Sequence, residues 1–143
     1  MWRGDETPIE GRHHQLRRPL NSPQSLRRPH PPILVGGSGE RKTLRLVARY
    51  ADACNLFPTP DVARKLDVLR AHCEREGRDY DEIEKTAVFD IDLTASSADE
   101  VVGSLRWLAS MGIQNVVASV KEVHRLEPLR VIGERVIPAV ADL

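Results

Sequence analysis

The fold is decided by the stretch Pro32-Ile33-Leu34-Val35-Gly36-Gly37-Ser38-Gly39-Glu40-Arg41-Lys42-Thr43. Its first apolar run, Ile33-Leu34-Val35, is typical of a short buried strand, and three glycines follow that strand. Beyond them Leu44, Val47 and Ala48 recur at helical spacing, which predicts an amphipathic helix. The stretch therefore predicts a βα unit with a glycine-rich turn between its strand and its helix.

A second βα unit follows directly along the chain. Its strand is predicted at Ala53-Cys54-Asn55-Leu56-Phe57. Thr59 is in position to cap the next helix, and Pro60 can occupy the first helical position, where a missing N–H costs nothing. Three apolar residues are predicted to line the inner face of this helix: Leu66, Leu69 and Cys73.

Two further units complete the pattern. A third strand is predicted over residues 86–93, and the capping box Ser97-Ala98-Asp99-Glu100 then begins a helix. The fourth strand is predicted over residues 113–119. A last helix is predicted over about residues 126–140, with Pro138 near its end.

Four consecutive βα units define the fold class as α/β and amount to half of an eight-stranded (β/α)8 barrel of the TIM type. An open doubly wound sheet would usually contain five or six strands. A half-barrel has two open sheet edges, and unpaired edge strands invite association. We therefore expect residues 33–143 to form a half-barrel that dimerises, pairs with a complementing half-barrel chain, or is unstable.

Residues 1–32 are expected to form a separate arm that consists mainly of loop. Six prolines interrupt this segment, and each removes a backbone donor and restricts φ. A small hairpin is predicted over residues 7–16, with its turn at Glu10-Gly11, because glycine supplies the positive φ that tight turns need.

The glycine-rich turn also has the chemistry of an anion site. Glycines let the backbone approach a phosphate, and the first N–H groups of the following helix lack internal partners and attract negative charge. Arg41 or Lys42 could add positive charge. A tight βα turn needs glycine in any case, and Gly-Gly-x-Gly is neither a P-loop nor a dinucleotide fingerprint. Its position favours the phosphate site, since barrel ligands gather at the carboxyl ends of the strands.

Several motifs together resemble the luciferase-like monooxygenase superfamily, and within it the subgroup of deazaflavin (coenzyme F-420)-dependent oxidoreductases. The resemblance is carried by Pro31-Pro32-Ile33-Leu34-Val35-Gly36-Gly37-Ser38-Gly39-Glu40, Lys42-Thr43-Leu44, Tyr50-Ala51-Asp52-Ala53-Cys54-Asn55-Leu56-Phe57, Glu10-Gly11-Arg12-His13, Met111-Gly112-Ile113-Gln114 and Glu134-Arg135-Val136-Ile137-Pro138. It extends over essentially the whole chain. Members of the superfamily are barrels about twice as long, so the resemblance implies that this chain corresponds to strands five to eight, the C-terminal half.

The resemblance implies a cofactor site at four residues that follow strand five: Gly36, Gly37, Ser38 and Gly39. In such proteins this backbone holds the phosphate-bearing tail of coenzyme F-420 or, alternatively, the phosphate of FMN. Asn55 and Leu56, which end the next strand, are weaker candidates. No catalytic residue can be carried over, because most of the family's proton-handling side chains lie on the other strands.

The implied function is that of a fragment of an oxidoreductase in which coenzyme F-420 transfers hydride to a small organic substrate. A fragment of an FMN-dependent monooxygenase is one alternative. The other is a half-barrel without turnover that binds a phosphate-bearing ligand or a partner chain. Whether the chain is an enzyme by itself is therefore left open.

Composition excludes other classes of function. Lys plus Arg equal Asp plus Glu at 21 each, so no net field favours nucleic acid or an anionic membrane. Cys54 and Cys73 form no C-x-x-C motif and belong to no metal-ligand cluster, so we expect no metal site. Reduced cysteines and the lack of an apolar leader at the first residues favour a cytoplasmic location.

Titratable side chains give only weak candidates for acid or base groups. Asp90 and Asp92 alternate on the third strand and share a face, either toward the barrel interior or toward the helices. They could form a catalytic acid and base pair, but a polar layer or a helix-facing pair is the favoured interpretation. His72 and His124 are expected in or beside helices, away from the strand ends. The remaining histidines, His13, His14 and His30, lie in the arm.

Overall fold

The N-terminal arm contains the predicted hairpin, but its turn lies at residues 11–14 rather than at Glu10-Gly11. The computed structural model describes Trp2 and residues 4–143 and divides into two compact units, Met1–Pro32 and Ile33–Leu143. In the first unit β1 (Ile9–Glu10) pairs antiparallel with β2 (Gln15–Leu16). Residues 11–14 form the turn, closed by the Gly11 N–H that donates to the His14 carbonyl at 2.9 Å.

The predicted reason for the glycine in this hairpin is therefore wrong. Gly11 is not among the residues with positive φ. A Cβ atom at this position would lie 2.9 Å from the His14 carbonyl oxygen, so close backbone approach explains the glycine.

The second unit contains the four predicted βα units. Its elements are β3 (Leu34–Gly36), α1 (Thr43–Tyr50), β4 (Ala53–Leu56), α2 (Val62–Glu76), β5 (Glu84–Ile91), α3 (Ala98–Ser110), β6 (Asn115–Val120), a 3-10 turn (Val123–Arg125), α4 (Glu127–Val131), a π-helical turn (Ile132–Val136) and α5 (Ile137–Val140). The sheet order is β3-β4-β5-β6, and every neighbouring pair is parallel. The α/β half-barrel expected from the sequence is confirmed.

The two faces of the sheet differ in burial. One face is covered by the helices and forms a continuous core, in which the largest fully buried side chains include Leu44, Leu56, Leu69, Ile83 and Leu108. The opposite face corresponds to the interior of a barrel. On that face Leu34 is 50% exposed and Val117 is 52% exposed.

The predicted boundaries of all four strands of the sheet are displaced by one or two residues. β5 begins at Glu84 and ends at Ile91, because the Asp92 carboxylate accepts hydrogen bonds from the N–H (2.9 Å) and hydroxyl (2.6 Å) of Thr94 and turns the chain. β3 ends at Gly36, β4 ends before Phe57, and β6 begins at Asn115 rather than at residue 113.

The predicted start of α2 is also wrong. Thr59 does not cap the helix, because its hydroxyl donates to the Asp61 carboxylate at 2.5 Å. Asp61 is the N-cap residue, and Pro60 lies in the turn before the first helical residue, Val62.

The last predicted helix contains a break in its hydrogen-bonding pattern. Between α4 and α5 the chain makes a π-helical turn, in which the Ile137 N–H donates to the Ile132 carbonyl five residues back. Pro138 explains this turn, because proline has no N–H and its ring collides with the carbonyl four residues earlier. The prediction of a single regular helix over residues 126–140 is therefore wrong.

The predicted capping box of α3 is confirmed, and it provides a stability test. The Ser97 hydroxyl accepts from the Glu100 N–H, and the Glu100 carboxylate accepts from the Ser97 N–H at 2.7 Å. Ser97→Ala removes the first bond and is expected to lower the free energy of unfolding by about 1 kcal/mol, measured by urea denaturation.

Ser104→Ala in the same helix is the matched control. Its hydroxyl donates to the Glu100 carbonyl within the helix, and alanine has the higher helix propensity. We expect this variant to be as stable as the wild type or slightly more stable. Equal losses from both substitutions would contradict the capping role of Ser97.

Candidate functional site

The glycine loop, defined as residues 36–39, lies at the carboxyl edge of the sheet beside the end of β4. The Gly37 N–H donates to the Asn55 carbonyl at 2.9 Å, and the Phe57 N–H donates to the Ser38 hydroxyl at 3.4 Å. Gly36 is the strand partner of Asn55. The structure therefore brings the glycine loop and Asn55 together, as parallel strand order requires.

Leu56 differs from the other candidate residues in its orientation. Its side chain is 1% exposed and packs in the core on the helix side of the sheet. Any contact between Leu56 and a ligand at the glycine loop would have to come from its backbone.

The structure accounts for two of the three glycines of the loop. Gly37 has a φ of +117°, which strains any other residue. A Cβ at Gly39 would lie 2.8 Å from the Thr43 hydroxyl. Gly36 has neither constraint, because its φ is ordinary and a Cβ there would meet nothing within 4 Å. Packing and conformation within this unit therefore do not explain why position 36 is a glycine.

The beginning of α1 presents donors and positive charge to the same edge. Within the described part of the chain, the backbone N–H groups of residues 38–43 donate to no protein atom. Lys42 is the N-cap without a side-chain cap, and the first turn of α1 has no acidic residue. Among the described residues, Arg41 and Lys42 form no ion pair. This arrangement fits an anion, because free N–H groups and the helix dipole both favour negative charge.

Glu40 is the acidic residue of this segment, and α2 binds it. Its carboxylate lies 2.7 Å from the Lys65 ammonium and 3.0 Å from the Arg64 guanidinium. The Lys65 hydrogen bond lowers the pKa of Glu40 against the opposing effect of burial, and Arg64 adds to the lowering. The Glu40 carbonyl oxygen lies 2.8 Å from Nε2 of His72, which is buried.

These α2 residues were not singled out from the sequence. Arg64 and Lys65 lie 24 and 25 positions after Glu40, and no local motif links them. Of the two, Lys65 lines an open depression together with Ser38, Gly39, Glu40, Arg41 and Lys42.

Asn55 contributes an unsatisfied acceptor beside the loop. Its side-chain oxygen Oδ1 is buried and has no hydrogen-bond partner among the described residues. A buried polar atom without a partner costs about 1–3 kcal/mol. Asn55 alternates with the helix-side residues Cys54 and Leu56, so its side chain belongs to the interior face. A donor on a bound molecule would satisfy this oxygen.

Asp90 and Asp92 lie on the interior side of the sheet, which resolves the alternative that the sequence left open. Their neighbours Phe89 and Ile91 pack with the helices. Asp90 accepts a hydrogen bond from the Ser119 hydroxyl, and Asp92 lies 2.8 Å from the Lys121 ammonium. The two carboxylates thus form separate polar contacts with β6 and the residue after it, as a polar layer requires.

The expectation that His72 and His124 lie in or beside helices is met. His72 lies within α2, and its Nε2 contacts the carbonyl oxygen of Glu40, the residue after the glycine loop. His124 lies in the 3-10 turn that follows β6, at the carboxyl edge of the sheet, 3.8 Å from the Glu122 carboxylate. The expectation that His124 is remote from the strand ends is wrong.

Neither a metal-binding cluster nor a membrane-spanning helix is present among the described residues. No group of three or more His, Cys, Asp or Glu side chains is arranged to hold a metal ion. No helix among these residues is long and apolar enough to cross a membrane.

The family assignment follows from comparison with known sequences. The family model of the luciferase-like monooxygenases matches residues 1–133, so the chain belongs to this family. No curated protein matches the sequence.

Solved structures with the same fold include enzymes with both types of cofactor. The coenzyme F-420-dependent tetrahydromethanopterin reductase from Methanopyrus kandleri is 15% identical, with a TM-score of 0.71 over 96% of this chain and 59% of that chain. An F-420-dependent secondary alcohol dehydrogenase is 14% identical, with a TM-score of 0.75 over 99% of this chain and 58% of that chain. A riboflavin lyase with modified FMN is 14% identical, with a TM-score of 0.70 over 94% of this chain and 48% of that chain. The chain thus spans about three fifths or less of these relatives.

The Asp92–Lys121 contact at the carboxyl edge gives a testable pKa. The Lys121 hydrogen bond, followed by that of the Thr94 hydroxyl, lowers the pKa of Asp92 to about 2. Lys121→Met is expected to raise this pKa toward the ordinary value of about 3.9, measured by NMR titration of the side-chain carboxyl. Lys42→Met, which removes a cation from the glycine loop instead, should leave it unchanged.

The same shift predicts the sign of a pH effect on stability. Because the folded-state pKa lies below the unfolded value, the contribution of Asp92 is present above about pH 4 and is lost as the pH falls toward 2. An Asp92 that titrates normally in the wild type would contradict the ion pair.

Proposed function

We propose that this chain supplies the cofactor-tail site of an oxidoreductase that uses coenzyme F-420 to transfer hydride to a small organic substrate. The observation that carries the proposal is the glycine loop with its free N–H groups, placed at the carboxyl edge of a parallel sheet. Family membership supports redox chemistry with a deazaflavin or flavin. The choice of coenzyme F-420 is supported by the sequence resemblance to that subgroup and by two relatives of the same fold that depend on it.

The residues present fit the phosphate-bearing part of such a cofactor. Gly36 leaves open space at the interior face, and the N–H groups of residues 38–43 can donate to phosphate oxygens. Arg41 and Lys42 supply uncompensated positive charge, and Asn55 Oδ1 can accept a hydrogen bond from the cofactor. When bound, the deazaflavin supplies hydride chemistry, while these residues bind and orient it.

FMN is the second candidate cofactor, since a relative of the same fold carries modified FMN. A single phosphate would use the same N–H groups. A third possibility is a half-barrel without turnover that binds a phosphate-bearing ligand. Titration of the purified protein with oxidised coenzyme F-420 and, separately, with FMN distinguishes them: tighter binding of F-420 supports the proposal, and equal or absent binding contradicts it.

We also propose that the half-barrel associates with another chain, either a second copy or a complementing half. The outer edges of β3 and β6 end the sheet, and Leu34 and Val117 are exposed on its interior face. A cytoplasmic location is proposed as well, supported by two free and buried cysteines, Cys54 and Cys73. Sedimentation analysis tests the association.

Gly36 provides the sharpest test of the tail site. Gly36→Ala adds a methyl group without strain, because neither φ nor a neighbouring atom opposes it. We expect it to weaken cofactor binding about tenfold, equivalent to about 1.4 kcal/mol, and Gly36→Asp to weaken binding further through charge repulsion. Thermal stability should change little, and calorimetric titration measures the affinity.

Gly133→Ala is the matched control, since this glycine also has open space around it and lies in the π-helical turn. It should bind cofactor as the wild type does. Gly37 is less informative, because its φ of +117° means that alanine and aspartate are both strained there. If both Gly36→Ala and Gly36→Asp bind the cofactor with wild-type affinity, the proposed tail site at this loop is contradicted.

A further inference from the structure

The glycine loop is followed by an acidic residue, and the negative charge of this residue opposes anion binding. Glu40 follows Gly39 directly, in the segment whose N–H groups are free. A carboxylate turned toward these donors would compete with a phosphate for them and repel it. The structure instead places this carboxylate against α2.

Of the two cations that contact Glu40, Lys65 has the stronger influence. The Lys65 side chain is 15% exposed, whereas that of Arg64 is 69% exposed. An exposed ion pair is screened by water and salt, and a sheltered pair is screened less. Lys65 is itself oriented from the other side, since its ammonium lies 3.1 Å from the carboxylate of Asp61, the N-cap residue of α2.

A second contact ties the backbone of the same residue to α2. His72 lies two turns after Lys65, and its Nε2 is 2.8 Å from the Glu40 carbonyl oxygen. His72 is 8% exposed, so this contact is sheltered from solvent. The side chain and the backbone of Glu40 are therefore both attached to one helix, which determines where its charge lies.

We propose that Lys65 is a positioning residue of the anion site: by binding the Glu40 carboxylate, it keeps that negative charge away from the free N–H groups of residues 38–43. The inference rests on the proposed function, because it assumes that an anionic cofactor binds there. With Glu40 compensated by α2, Arg41 and Lys42 leave the segment positively charged. Lys65 also lines the depression, so a direct contact with phosphate is the competing explanation.

A double-mutant cycle separates the two explanations. Lys65→Met frees the Glu40 carboxylate and is expected to weaken the binding of coenzyme F-420 about tenfold in calorimetric titration. Glu40→Gln alone should bind at least as tightly as the wild type. The double variant Lys65→Met/Glu40→Gln should regain most of the affinity, because no carboxylate remains to be freed. A direct Lys65 ligand predicts no such recovery.

Arg75→Met is the control, since it removes one exposed cation from the same helix without touching Glu40. It should leave the affinity near the wild-type value, and Lys65→Arg, which keeps the cation, should retain binding. If Lys65→Met fails to fold, Lys65→Gln takes its place in the cycle. NMR titration without cofactor should also show a higher pKa of Glu40 in the Lys65 variant.

The outcomes distinguish this inference from the proposed function. If the wild type binds neither coenzyme F-420 nor FMN, the proposed function fails, and the inference fails with it. If the wild type binds but the double variant remains as weak as Lys65→Met, the positioning role alone is overturned and Lys65 contacts the ligand. An unchanged pKa of Glu40 in the Lys65 variant would likewise overturn it.

Discussion

The structure depends on the parallel pairing of β4 with the strands on both sides of it. Asp52, just before β4, accepts the Ile33 N–H through its carboxylate at 2.7 Å and the Glu84 N–H through its carbonyl at 2.9 Å. The Thr86 hydroxyl then donates to the Cys54 carbonyl at 2.7 Å within the sheet. Because these bonds align the starts of three strands, their carboxyl ends meet at one edge. The glycine loop and Asn55 lie together as a consequence of this alignment.

The sequence predicted those features that depend on local signals, and it missed those that depend on contacts between distant residues. Apolar periodicity and the capping box at Ser97 are local signals, and they predicted the four βα units correctly. The ends of the strands depend on individual hydrogen bonds, such as those from Thr94 to Asp92, and were displaced by one or two residues. The contact of Glu40 with Lys65 joins residues that are adjacent only after folding, and no sequence motif contains both.

The glycine motif predicted a phosphate site, but it did not indicate which glycine should be substituted to test ligand binding. From the sequence, Gly36, Gly37 and Gly39 are equivalent members of one turn. In the structure, backbone conformation requires the glycine at position 37, and the Thr43 hydroxyl requires the glycine at position 39. Only Gly36 is free of both requirements. The glycine that the unit itself does not need is therefore the one most informative about a ligand.

The two faces of the sheet differ in how many of their apolar and polar side chains find partners within this unit. On the helix side, α1 and α2 bury their apolar residues, and α2 binds the Glu40 carboxylate through Lys65. On the interior side, Asn55 Oδ1 has no partner among the described residues and Leu34 is exposed. The proposed tail site combines the free N–H groups of the glycine loop with Gly36 and Asn55 on the interior face. Because the proposed tail site uses groups that this unit itself supplies, the proposal predicts tail binding separately from turnover.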